Sequence, residues 1–150
     1  MKKLYGSKRI AVLLVLVFVS LLAAPGRAEV TPKFKVIANN SVDVTDLSRK
    51  EISKLFLKKV TKWDDNTDVY PVDLPAGSSI REMFSEIIHQ KSIPAVKAYW
   101  QQQIFSGSAL PPSEKASEQA VISYVRETRG AIGYVSADAD VRGVRVLRVE

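Results

Sequence analysis

The 150-residue chain has no cysteine and only one histidine. Without thiols there can be no disulfide, no zinc–thiolate centre and no cysteine-borne lipid anchor, so an oxidising compartment is tolerated but not exploited. A lone histidine excludes an H-E-x-x-H zinc helix, and no G-x-S-x-G elbow is present. His89 follows Ser79 by ten residues on one helical pattern, about 15 Å along the axis, too far to act as base for that serine. We therefore expect no catalytic residue, no cofactor and a solvated His89. A membrane-length apolar run is also lacking: Ile10 to Ala24 is 15 residues, where a span needs about 20. There is no internal repeat and no low-complexity linker.

What that short run does fit is a secretory signal. Lys2, Lys3, Lys8 and Arg9 precede it, and Gly26-Arg27-Ala28 places small residues at both cleavage positions. This predicts a signal peptide over 1–28 and a single domain over 29–150, periplasmic or secreted, with no membrane insertion once the signal is removed. The signal also accounts for the basic composition. Its five bases leave 17 of the 22 Lys and Arg against all 16 acids, a near-neutral balance that gives no argument for nucleic acid.

Along the remaining chain, Lys33–Ala38 reads as a strand and Asn39-Asn40-Ser41 as a polar turn. Ser48 with Glu51 forms a capping-box pattern for a helix burying Ile52, Leu55, Phe56 and Val60. Asp64, Asn66 and Asp68 sit at the spacing that opens a calcium loop. Val69 stands where the turn glycine belongs and Pro75 where the terminal glutamate belongs, so no metal site is expected. Ser92 and Pro94 start a helix with Ile93, Val96, Trp100 and Ile104 inward. Glu114 is expected to begin another helix, which carries Ala120, Val121, Tyr124 and Val125 inward and ends at Gly130. Ala131–Val135 reads as a buried strand, and Val144–Val149 as an edge strand. Trp63, Phe84, Trp100 and Tyr134 are the expected aromatic core.

The central stretch runs from Val69 to His89. Val69–Val72 is an apolar strand, Leu74–Gly77 a Pro/Gly turn, and Ile80, Met83, Phe84, Ile87 and Ile88 the buried stripe of a helix. Ser79, three residues before Glu82, reads as its cap. Free amides at such a start, together with the helix dipole, favour an anion. The candidate anion ligands are Gly77, Ser78, Ser79 and Arg81.

Two segments carry a resemblance to a known family. Leu55–Trp63 (LFLKKVTKW) looks like "iflgkitkW", and Gly130–Val135 (GAIGYV) looks like "GAIGYV", in the second lobe of the phosphate-binding proteins of ABC transporters. Their order around a Gly-Ser helix start is the same. The resemblance implies an α/β fold: a three-layer single lobe of type II periplasmic binding protein-like fold, with a small mixed sheet flanked by about four helices. In that family the turn matching Leu74–Ile80 reads Arg, two residues, Gly-Ser-Gly-Thr. Here Gly77 and Ser78 match, whereas Leu74, Ser79 and Ile80 replace Arg, Gly and Thr, and Arg81 is an extra base. Two functions are implied. One is capture of phosphate or another oxyanion for a transporter. The other is a ligand-free interaction module that docks to an envelope protein such as a transporter or sensor, or to a second lobe.

Overall fold

The structure, a computed structural model, describes residues 33–150, so the expected signal peptide lies outside the described residues. The chain order is β1 (Phe34–Ala38), β2 (Asp46–Leu47), α1 (Arg49–Phe56), β3 (Tyr70–Asp73), α2 (Ser79–Phe84), a π-helical turn (Ser85–His89), α3 (Ile93–Phe105), β4 (Ser113–Glu114), α4 (Glu118–Glu127), β5 (Ala131–Ser136) and β6 (Arg145–Val149). The strands form one mixed sheet in the order β2-β6-β1-β5-β3-β4. β1 runs antiparallel to β5 and β6, while β3 runs parallel to β5 and β4.

Three layers follow from the alternation of β5, whose successive residues face opposite sides of the sheet. Gly133 faces α4 so closely that a Cβ would lie 2.8 Å from Val121 and 2.9 Å from Val72, so only glycine allows this approach of helix to sheet. Tyr134, its neighbour, faces the other side. There it stacks on Phe84 of α2, ring centroids 3.8 Å apart, and meets Phe56 of α1. Phe34, two residues before the Tyr134 partner Val36, completes this aromatic cluster. The fold is thus α/β, a mixed sheet with four helices. Trp63, Phe84, Trp100 and Tyr134 are all buried.

Several local expectations are corrected. Val60 is exposed because α1 stops at Phe56 and Lys58 turns left-handed. Ile104 is exposed because α3 packs through Val96, Tyr99 and Trp100, in a small cluster with Leu57 that does not extend to its last turn. Glu114 does not begin a helix: it pairs with Asp73 as β4, and α4 starts after the Ser117 cap. β6 is not an edge strand, since the two-residue β2 pairs along it. Ser85, which lies off the apolar stripe of the helix, is buried and donates from its hydroxyl to the Lys91 carbonyl. The wider π turn shifts the helical phase there, and Gln90 at φ 53° ends it.

Candidate anion site

β3 delivers an apolar run that ends in one acid. Asp73 is buried, with Leu74 N–H and the Tyr134 hydroxyl both donating to its carboxylate and Arg81 pairing with it at 3.1 Å. Burial outweighs the Arg81 cation and raises the Asp73 carboxyl, and burial beside Asp73 pushes the Tyr134 hydroxyl up as well. The chain then turns at Pro75, whose carbonyl accepts from Ser78 N–H at 2.8 Å.

The cap of α2 is Ser78, one residue earlier than expected. Its hydroxyl accepts from Arg81 N–H, and Glu82 takes no part in a capping box. Ser79 is the first helical residue, so its amide and that of Ile80 point out of the first turn with no helical acceptor. Gly77 lies in the open, with nothing near its Cα hydrogens. Arg81 does not reach out: its guanidinium donates to the Leu74 carbonyl and pairs with Asp73 and with Glu114, the latter at 2.7 Å. It therefore ties the turn to β3 and β4.

A second helix start meets the first. Gly77 and Ser78 share an open depression with Ser117 and Glu118, where α4 begins and the Ser117 hydroxyl accepts from Ala120 N–H. The Glu118 carboxylate is turned inward, accepting from the amide and hydroxyl of Ser136 at 2.6 Å each. The depression therefore combines two serine-capped helix N-termini, partial positive charge, and one carboxylate already engaged. Ser117 is not among the residues expected from the sequence, because the apolar pattern alone starts that helix at Glu114. A lone Asp within an apolar strand is the signal that Asp73 offered.

His89 is half-buried rather than fully solvated. It packs edge-on against Phe84, its Nδ1 lies 2.9 Å from the Ser53 hydroxyl, and burial, with Arg81 and Lys91 nearby, pushes its pKa down to about 4. The Asp64–Asp68 segment is an Asx turn in which Asp65 accepts from the amide and hydroxyl of Thr67. Among the described residues no group of three or more His, Cys, Asp or Glu is placed to hold a metal, and no helix is long and apolar enough to cross a membrane.

Residues 30–146 match the family model of the PBP superfamily domain. Among solved structures, the chain is similar to a protein of Clostridium perfringens assigned to phosphate ABC transport as a substrate-binding protein and solved with bound phosphate. That match has 21% identity and a TM-score of 0.61, covering 78% of this chain and 44% of the other. An ABC-type phosphate transport receptor from Vibrio cholerae is 16% identical with TM-score 0.62, covering 78% and 46%. PstS from Borrelia burgdorferi is 14% identical with TM-score 0.56, covering 79% and 47%. The chain thus spans less than half the length of these proteins.

Proposed function

The chain belongs to the PBP superfamily, and from that premise we propose that it is a non-enzymatic, extracytoplasmic solute-binding lobe whose ligand is a phosphate-class oxyanion. The observation that carries this reading is the meeting of the Ser78 and Ser117 helix starts in one depression at the end of β3. The anion is held by the amides of Gly77 and Ser79 and by the Ser78 hydroxyl, with Arg81 bracing the turn and reaching the anion by giving up the half-exposed Glu114. Phosphate transport as the setting rests on what the similar solved proteins are said to do. An open depression leaves the anion partly hydrated, so affinity is weak, about millimolar, until another surface closes over it.

The test is an amide-resolved NMR titration with phosphate and with sulfate at fixed ionic strength. Shifts confined to Gly77–Arg81 and Ser117–Gln119 support the reading. If both segments stay still at tens of millimolar anion, the lobe does not capture oxyanions by itself and the reading falls.

A further inference from the structure

The near-neutral balance of the domain conceals a segregated charge. From Arg49 to Lys62 the chain has six Lys or Arg and one acid, Glu51. Glu51 is turned back onto the α1 cap, accepting from the amide and hydroxyl of Ser48. Arg49, Lys50, Lys54 and Lys59 are exposed and line a single open groove. None of the four pairs with an acid among the described residues. The floor is apolar and closed, with Leu57 and Ile88 buried, and the hydrogen-bonded Ser53 and His89 form one wall. This groove sits at the far end of the helical run Ser79–His89 from the anion turn, roughly 15 Å along the axis. It is a separate surface and does not depend on the oxyanion reading.

Lys50 and Lys54 stand four residues apart on α1, a like-charge spacing that destabilises a free helix. An anionic ligand relieves that repulsion, and the dimensions select its kind. Arg49 opens α1 and Lys59 lies beyond its end, so the cations spread over about 12 Å or more of helix length. One tetrahedral oxyanion is far smaller than that. A bilayer recruits a helix by inserting exposed apolar side chains, but here Leu57 and Ile88 are closed into the floor. An extended peptide rises about 3.3 Å per residue, so carboxylates four residues apart match the span. We propose that this groove docks an extended acidic segment of a partner protein, one carboxylate near Arg49 and Lys50 and another near Lys54 and Lys59.

The experiment uses the mature chain and a short synthetic peptide with glutamates four residues apart, followed by NMR at low salt. The imidazole of His89, the chain's one histidine, and the Ser53 and Leu57 amides are the expected reporters. Lys50→Glu/Lys54→Glu should weaken binding about tenfold or more. Arg145→Glu, outside the groove, should leave it unchanged, and a peptide with adjacent glutamates should bind less well. A melting curve checks that the double variant folds, and Lys59→Glu serves if it does not. Four results would each overturn the proposal: no shift at millimolar peptide; inorganic phosphate shifting the reporters as readily as the peptide; vesicles of anionic phosphatidylglycerol binding where the peptide does not; or self-association of the free protein that the double variant abolishes, which assigns the groove to a second copy.

Discussion

The Trp63 indole N–H donates to the carbonyl of Gly130 at 2.9 Å, joining the two segments by which the sequence resembles its family. The same carbonyl accepts from Tyr70 N–H, so one peptide oxygen anchors the turn after α1 and the entry to β3. Gly130 has φ +75°, and a Cβ there would lie 2.2 Å from the Asp68 carbonyl oxygen.

Two substitutions separate these roles. Trp63→Phe keeps most of the apolar contact and loses one hydrogen bond, so it should cost about 1–2 kcal/mol in urea melts. Gly130→Ala meets both a positive φ and a backbone clash, and should cost more than about 3 kcal/mol or leave the chain unfolded. A neutral Gly130→Ala would mean that the Asp68 loop moves freely.

The Phe84–Tyr134 stack sets the second expectation. Both rings are buried, and Phe84 also meets Phe34 and Phe56. Phe84→Ala should cost about 3–5 kcal/mol, whereas Phe84→Leu should recover most of that loss. Equilibrium denaturation of both variants measures it.

The sheet and its helices were legible wherever pattern and cap agreed. β1 and β5 are short, mostly apolar runs bounded by turn residues, α1 buries Ile52, Leu55 and Phe56 at helical spacing, and the capping box of Ser48 and Glu51 forms as read. The sequence reading failed where tertiary context decides. Two-residue strands such as β4 leave no periodic trace, and without β4 the pattern starts α4 four residues early. The π turn shifts the phase after Phe84, which hid the burial of Ser85 and the partial burial of His89. At the candidate site, the turn and Ser78 could be read locally, but the partners of Arg81 could not. Glu114 is 33 residues away, and only the β3–β4 pairing brings it there.

His89 supplies a pH prediction with a definite sign. Its pKa falls from 6.5 to about 4 on folding, so between those values the unfolded chain binds the extra proton. Its contribution to stability is complete above about pH 6.5 and is lost progressively as pH falls toward 4, on the order of 3 kcal/mol in all. Asp73 is shifted upward and acts with the opposite sign above 3.8. Comparing wild type with His89→Gln across this window isolates the histidine. The one imidazole resonance should titrate near pH 4, and a midpoint near 6.5 would refute its burial.

A fourth expectation concerns the mature end. If residues 1–28 are a signal, mass spectrometry of the exported protein should find an N-terminus at Glu29. Recovery of the intact chain in the membrane fraction would contradict the extracytoplasmic placement.

The last prediction decides what Arg81 does. Its guanidinium is shared between Asp73 and Glu114, so bringing it to an anion means giving up one carboxylate. Glu114 is the half-exposed partner and the weaker one. Glu114→Gln should therefore free Arg81, remove a nearby negative charge and tighten phosphate binding by on the order of 1 kcal/mol. Arg81→Ala should weaken it by on the order of 1.5–3 kcal/mol. It should also lower stability, because Asp73 then stays buried without its cation. Calorimetric titration at fixed ionic strength reads the affinities, with melting curves to confirm folding and His89→Ala as a control outside the turn. If Glu114→Gln loosens binding, the ion pair positions the turn and the anion never touches the guanidinium. If binding survives Arg81→Ala unchanged in a folded protein, the amides of the Ser78 and Ser117 helix starts hold the anion by themselves.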